Sequence, residues 1–204
     1  MIFVLGFEYS PDRRMDVKKR FALLLVIGTV VLSTSASVMA KDPSSPSSEI
    51  SSACDSFGVV KSQVERKAPS FCLKTLSGNQ VVLDDFRGKF ILIKFWATWC
   101  PSCLEELPMM EKFSQGNRDQ LVILMPAIDG EKESKVRRVV EKNKVTLPVL
   151  LDPRAKTART YGVNMIPVSF LINREGLIVG TVVGERDWGS PKAWLAVKEL
   201  FNLR

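Results

Sequence analysis

The chain has 204 residues, with 29 Lys and Arg against 22 Asp and Glu, and a net charge of +7. The positive charge is not gathered into a dense basic block interleaved with aromatics, so no nucleic acid partner is expected. Histidine is absent from the sequence, which excludes Ser-His and Cys-His nucleophilic triads, zinc sites that need imidazole, and Cys-x-x-Cys-His haem attachment. The length suits one domain with additional segments.

Residues 1–40 have the pattern of a secretory signal peptide. A basic cluster at residues 18–20 precedes an apolar stretch over residues 21–32, and the segment ends in Val38-Met39-Ala40, a small-residue cleavage site. The apolar stretch is shorter than the about 20 residues that a spanning helix needs. Because an extension to Met39 nearly reaches that length, an uncleaved anchor that tethers the protein to the membrane is the alternative. Either interpretation places the domain in the periplasm or another extracytoplasmic compartment.

Residues 41–58 are predicted to be a Ser/Pro-rich linker, followed by a folded domain over residues 59–204. An oxidising compartment allows disulfides to persist. We therefore expect a structural disulfide between Cys54 and Cys72, which closes a loop of about 18 residues and is worth roughly 3 kcal/mol in the chain-entropy model. Two free buried thiols are the alternative.

The folded part alternates predicted strands and helices. A strand through Leu73 turns at residues 77–79 into a second strand, which forms a hairpin, and a buried strand follows over residues 90–96. Further along the chain we expect a helix from the cysteine pair to about residue 114, a strand over 121–128, a helix over 131–144, a strand over 147–151, a short helix over 155–161, a hairpin of strands 168–172 and 177–183, and a last helix from Ser190-Pro191. This order predicts an α/β fold with a mixed sheet and helices on both faces.

Two cysteines lie where the buried strand over residues 90–96 gives way to a helix, in the segment Trp99-Cys100-Pro101-Ser102-Cys103. A thiol at a helix N-terminus faces unpaired backbone N–H groups and the positive end of the helix dipole, both of which favour the thiolate. The second thiol lies one turn further along the same helix. It can attack a mixed disulfide formed by the first thiol, so the pair predicts disulfide exchange with another protein.

With these residues in view, the chain resembles the thioredoxin superfamily, specifically the TlpA/ResA-like exported thiol–disulfide oxidoreductases, which are related to the redoxin and AhpC/TSA proteins. The resemblance spans about residues 66–203 and is carried by residues 95–103, Glu106, Pro108, residues 68–71, residues 161–163, Pro167, Phe170, Ile172 and Gly176. It implies a thioredoxin-like three-layer α/β/α fold, with an N-terminal β-hairpin and a central αβ insertion.

The resemblance also implies roles for individual residues. Cys100 would be the exposed attacking thiol and Cys103 the buried resolving thiol, while Glu106 would lie near both and influence their proton transfer. The peptide bond between Ile166 and Pro167 would be cis and would pack beside the disulfide. The residues expected to contact the substrate are Trp99, Pro101, Ile166 and Pro167.

Lys94 departs from the pattern of thioredoxins, many of which carry a buried acid two residues before the tryptophan of the strand. Two interpretations are open for this lysine near the cysteines: its ammonium favours thiolates, or it pairs with Glu106. A side chain whose aliphatic stem packs under the sheet is a third, purely structural alternative.

The sequence therefore predicts an extracytoplasmic thiol–disulfide oxidoreductase that needs no cofactor or metal beyond its cysteine pair. Expected partners are disulfide-bearing or dithiol proteins, together with a membrane electron donor that returns the enzyme to the dithiol. The resemblance suggests reduction of haem-receiving cysteines in cytochrome c maturation, or of thiols in oxidase assembly. Two other function classes are a thiol peroxidase and a Cu(I)-binding carrier, although Thr98 is one residue too close to Cys100 for a Thr-x-x-Cys setting.

Overall fold

The computed structural model describes residues 52–117 and 119–203. Its helices are α1 (Ala53–Phe57), α2 (Pro101–Gln115), α3 (Glu133–Lys142), α4 (Lys156–Thr160) and α5 (Pro191–Phe201). Its strands are β1 (Val59–Lys67), β2 (Cys72–Thr75), β3 (Gln80–Val82), β4 (Phe90–Phe95), β5 (Leu121–Ala127), β6 (Val149–Leu151), β7 (Val168–Ile172) and β8 (Leu177–Val183). The predicted signal peptide and residues 41–51 of the predicted linker lie outside the described residues.

The eight strands form one mixed sheet in the order β1-β8-β7-β4-β5-β6-β2-β3. β4 lies at the centre, parallel to β5 and antiparallel to β7. Its residues are almost all buried, as expected for an apolar strand covered on both faces. Both predicted hairpins are confirmed, since β2 pairs with β3 and β7 pairs with β8 in antiparallel register.

Alternate residues of the central strands enter two separate hydrophobic clusters, one on each face of the sheet. Leu92 and Trp96 pack with α2, α5, α1 and Val136 of α3, whereas Ile93 and Phe95 pack with α4 and Tyr161. The helices thus cover both faces, which confirms the thioredoxin-like α/β fold. Because residues two apart in a strand share a face, Lys94 points to the same face as Leu92 and Trp96, beneath α2.

Part of the predicted linker is folded. Residues 53–57 form α1, which packs against α5 and buries Cys54 and Phe57. Gly58 ends this short helix with a left-handed φ of 80°, a conformation that favours glycine. The buried side chains of Cys54 and Phe57 hold α1 against the domain. The folded domain therefore begins before residue 59, the boundary that the sequence predicted.

The predicted disulfide between Cys54 and Cys72 is wrong, since both cysteines are free. Cys54 lies on α1, beside edge strand β1, and its Sγ donates a hydrogen bond to the carbonyl of Ala196 over 3.3 Å. Cys72 lies exposed on β2, near the opposite edge of the eight-stranded sheet. The sequence separation of the two cysteines gave no information on this strand order, in which the first and second strands stand far apart.

Within residues 52–117 and 119–203, none of the helices has the length and apolar character that a membrane crossing requires.

Candidate active site

The candidate site is a disulfide between Cys100 and Cys103 at the start of α2, with the two Cα atoms 5.2 Å apart. Cys100 is the N-cap residue of the helix, and its Sγ accepts a hydrogen bond from the backbone N–H of Cys103 over 3.2 Å. Pro101 occupies the first helical position, where the missing N–H costs the helix nothing. The free N–H groups at this terminus favour negative charge on the Cys100 sulfur once the disulfide is reduced.

The two sulfur-bearing residues differ in their surroundings. Cys103 is fully buried, whereas Cys100 lies at the surface end of the helix with 5% of its area exposed. Trp99 directly before it is 57% exposed, and Pro101 after it is also exposed. Cys100 is therefore the sulfur that an incoming partner reaches first, between two exposed rings.

The loop before β7 reaches the same end of the sheet. Val168, the first residue of β7, pairs with Phe95, the last residue of β4, so the preceding bond between Ile166 and Pro167 lies beside the segment that leads to Cys100. That bond is cis, which confirms the expectation. Ile166 is half-buried against the cluster that contains both cysteines, and Met165 beside it is 61% exposed.

Beneath the disulfide, Lys94 and Glu106 form an ion pair through Nζ and Oε2. The Lys94 side chain is only 1% exposed to solvent, and the Glu106 side chain is fully buried. This confirms the interpretation in which Lys94 pairs with Glu106. Desolvation lowers the pKa of the Lys94 ammonium from its ordinary value, and the Glu106 carboxylate acts in the opposite direction.

Three further residues surround this ion pair, and the sequence analysis missed them. The backbone N–H of Arg186 donates to Glu106 Oε1 over 2.7 Å, and the ring of Trp188 lies 5.6 Å from Lys94 Nζ, within the range of a cation–π contact. Ser169 on β7 pairs with Lys94 in strand register. Since Arg186 is 80 positions from Glu106, no local sequence signal pointed to these contacts.

Thr98 and Asp129 brace the turn that carries the disulfide. The Thr98 hydroxyl donates to Asp129 Oδ2 over 2.5 Å, and its backbone N–H donates to Oδ1 over 3.3 Å. Both residues are buried. The Thr98 hydroxyl therefore donates its hydrogen bond to Asp129, on the turn just before Cys100.

As for metals, the described residues contain no group of three or more His, Cys, Asp or Glu side chains that could hold an ion. The reactive groups that the structure places at the site are the two sulfurs and the buried ion pair below them. A dithiol at this position can donate two electrons, and the disulfide can accept two.

Comparison with known proteins agrees with this geometry. Residues 64–181, more than half of the chain, match the AhpC/TSA family. The thiol-disulfide oxidoreductase ResA of Bacillus thuringiensis is 32% identical over 126 residues, which cover 62% of this chain and 73% of ResA. The thioredoxin-like protein YneN of Bacillus subtilis is 38% identical over 124 residues, covering 60% of this chain and 72% of YneN.

A solved structure described as the thiol:disulfide interchange protein DsbE of Chlorobium tepidum superimposes with a TM-score of 0.61 at 28% identity, over 67% of this chain and 96% of that one. The fold and the cysteine pair define a thiol–disulfide oxidoreductase of the thioredoxin superfamily. The chain belongs to the AhpC/TSA family, and within it to the ResA-like proteins.

Proposed function

We propose that this protein reduces disulfides of partner proteins outside the cytoplasm, with Cys100 as the attacking thiol and Cys103 as the resolving thiol. The observation that carries the proposal is the asymmetry of the pair. Cys100 caps the N-terminus of α2 beside the exposed Trp99, whereas Cys103 is fully buried one turn further on.

The first step is attack on the partner. The Cys100 thiolate forms a bond to one sulfur of the partner's disulfide, the partner's S–S bond breaks, and the other partner sulfur leaves as a thiolate. The N–H groups at the start of α2 support the attacking anion. Trp99 and Pro101, which flank Cys100 in the chain, and Ile166 and Pro167 on the loop before β7 are the proposed contact surface for the partner.

The second step releases the partner. Cys103 loses its proton and attacks Cys100 Sγ, so that the bond between Cys100 and Cys103 forms while the mixed disulfide breaks. The second partner sulfur leaves as a thiolate and takes up a proton. The partner has gained two electrons and the enzyme has lost two, so a membrane dithiol donor must reduce the enzyme before the next cycle.

The proposed location and pathway rest on the sequence pattern and on the relatives. Residues 1–40 have the features of a signal peptide, with a retained membrane tether as the alternative. The similarity to ResA supports partners such as the haem-receiving cysteines of cytochrome c or thiols in oxidase assembly. A reductant of this kind needs a reduction potential near the thioredoxin value of about −270 mV, far from the about −120 mV of a strong oxidant.

A variant that cannot resolve the mixed disulfide tests the proposal. Cells expressing the full chain with Cys103→Ser at native level should accumulate covalent complexes through Cys100, which mass spectrometry identifies after non-reducing separation. The matched control is Cys100→Ser, which should accumulate none. If Cys100→Ser traps partners and Cys103→Ser does not, the two roles are reversed.

The same purified protein tests the other two function classes. Turnover of hydrogen peroxide with a thiol donor would favour a peroxidase, although Thr98 donates its hydroxyl to Asp129. Stoichiometric copper in protein purified without reconstitution would favour a Cu(I) carrier. A reduction potential close to −120 mV would contradict the reducing direction.

A further inference from the structure

The buried ion pair between Lys94 and Glu106 includes a carboxylate on the helix that carries Cys103, whose thiol must lose a proton in the proposed second step. Cys103 is fully buried, so water has no direct access to its thiol in this structure. Glu106 is three residues after Cys103 in α2, and residues at this spacing are neighbours on one helix face, with Cβ atoms about 5–6 Å apart. The carboxylate is therefore the neighbouring buried base.

A proton transfer from Cys103 to Glu106 moves a negative charge through a buried region. In the transfer the S–H bond breaks, an O–H bond forms on the carboxylate, and the electron pair stays on sulfur. The charge on Glu106 is lost and a charge on Cys103 appears. Without a fixed cation nearby, the new thiolate would stand unpaired in the protein interior, which is costly.

Lys94 is the cation paired with this carboxylate. It lies on β4 beneath α2, contacts Glu106 and lies on the sheet face that packs into the cluster containing Cys103. We propose that Lys94 is a positioning residue for the second step, because its ammonium serves as the counterion of the Glu106 carboxylate before the proton transfer and of the Cys103 thiolate after it. The proposal deepens the proposed function and rests on it.

This arrangement keeps the charge of the cluster constant. Before the transfer the pair is ammonium and carboxylate, and afterwards it is ammonium and thiolate. When the thiolate attacks Cys100 Sγ, its electron pair enters the new S–S bond, and the partner's sulfur leaves with the pair from the broken bond. Glu106 then gives up the proton and the partner's thiolate takes one up, so protons balance.

Other charged groups near the pair lie on α2 and on the loop before α5. Arg186 turns its guanidinium away, donating from Nε to the carbonyl of Phe57 and from Nη1 to the carbonyl of Glu185. Glu185 is exposed, and its pKa is raised by desolvation and by the nearby Glu105 and Glu106. Asp187 accepts from the N–H of Gly189. Ser169 and Trp188, which pack against the pair from β7 and the loop, carry no charge.

Reaction of the reduced full chain with the aromatic disulfide DTNB tests the proposal by stopped flow. Attack by Cys100 releases one coloured thiolate in a phase that depends on DTNB concentration. Resolution by Cys103 releases the second in a phase that does not. Every variant carries Cys72→Ser, because the exposed free thiol of Cys72 would otherwise add signal. The rate of the second phase is measured from pH 5 to pH 10.

Lys94→Met should move the pH midpoint of the second phase upward by about 1–3 units, because the thiolate loses its counterion. The rate at pH 7 should fall at least tenfold and recover above the new midpoint, while the first phase changes less. Glu106→Gln should move the midpoint downward, since the thiolate becomes the partner of the buried ammonium. Shifts in opposite directions are not expected from a packing defect.

Two further variants serve as controls. Ser169→Ala removes a buried hydroxyl directly opposite Lys94 in register, and among the described residues this hydroxyl has no hydrogen-bond partner. It should leave the midpoint unchanged. The double variant Lys94→Met/Glu106→Gln removes both charges together, and its midpoint should fall between those of the two single variants.

The inference is overturned if both single variants keep the parent midpoint or shift it in the same direction. Should Lys94→Met fail to fold, the downward shift of Glu106→Gln and a double-variant midpoint above that of Glu106→Gln still decide. Absence of the second phase in the Cys72→Ser parent would instead contradict the proposed function itself, and the inference with it.

Discussion

The protein carries the same three chemical groups twice, at two corners of the same sheet face. At the start of α2, Cys103 lies near Glu106, which pairs with Lys94. Between α1 and α5, Cys54 lies near Glu199, which pairs with Lys61 over 2.8 Å. The first ion pair is buried, whereas the side chains of Lys61 and Glu199 are 48% and 31% exposed.

The difference shows that a cysteine, a glutamate and a lysine placed together are not sufficient to form a redox site. Cys54 is a free cysteine, and its thiol donates to a backbone carbonyl. Desolvation first, and then the charge of Glu199, raise its pKa to about 11. Cys103 instead shares a disulfide with a residue that caps a fifteen-residue helix. Helix position and the second sulfur decide which of the two cysteines takes part in electron transfer.

Replacing one cysteine in each cluster should produce the largest difference, measured as the rate of disulfide reduction. Cys103→Ser should reduce the rate of insulin disulfide reduction to the background level, because the mixed disulfide at Cys100 is no longer resolved. Cys54→Ala should keep the parent rate, since this thiol contributes to packing and to one hydrogen bond within the fold. The turbidity assay with dithiothreitol as electron donor measures both. A loss of turnover in Cys54→Ala, with folding intact, would contradict the comparison.

Loss of one lysine from each ion pair should differ in its effect on stability. Lys94→Met should lower the free energy of unfolding by about 3–5 kcal/mol, because it leaves a buried carboxylate without its partner. The double variant Lys94→Met/Glu106→Gln should regain much of that loss. Lys61→Met should have a far smaller effect, since water screens an exposed pair. Denaturant unfolding of the oxidised protein measures these values, and a larger effect at Lys61 would reverse the ranking.

Alkylation should separate the two free cysteines. At pH 8, iodoacetamide should modify the exposed Cys72 of the oxidised protein and leave Cys54 unmodified, because Cys54 is buried and its pKa is about 11. Mass spectrometry of peptides identifies the sites, and denaturant should make both react. If neither reacts even in denaturant, a disulfide between them would be restored as the explanation.

The smallest expected effect is the pH dependence of the stability that Glu199 contributes where α5 packs against α1. The hydrogen bond from Lys61 and those from the backbone N–H groups of Cys54 and Ala53 lower the pKa of Glu199 from 4.5 to about 2. A depressed carboxyl pKa stabilises the fold above the unfolded value, and the contribution is lost as pH falls from 4.5 through about 2. Glu199→Gln should therefore be less stable than the parent at pH 7, and the difference should disappear only below about pH 2. Thermal unfolding across this range measures the difference, and a gap independent of pH would exclude the charge of Glu199 as its cause.

Local patterns in the chain were sufficient for most of the secondary structure. Strands β7 and β8 have the predicted bounds, because an apolar run interrupted by a turn containing glycine has few other solutions. The cysteine pair could also be placed at a helix N-terminus, since a buried strand and good helix formers flank it. The cis bond before Pro167 followed from family resemblance and not from the local residues.

The sequence-based predictions were wrong where the structure depends on contacts between elements that are distant in the chain. The proposed disulfide between Cys54 and Cys72 was based on an oxidising compartment, which carries no information on strand order, and β1 and β2 lie near opposite edges of the sheet. The Ser/Pro-rich composition suggested a linker up to residue 58, although Cys54 and Phe57 anchor α1 against α5. A five-residue helix has almost no stability of its own, so only this tertiary contact creates it.

By itself the sequence determined that two sulfurs would stand one helical turn apart at the end of a buried strand, because hydrophobic periodicity and helix-start chemistry act over a few residues. The tertiary structure alone decided that Lys94 would meet Glu106, with Arg186 and Trp188 closing over them. Burying a charged lysine is favourable only when a partner is brought to it. In this protein the partner comes from a different element, through the packing of α2 on the central strand.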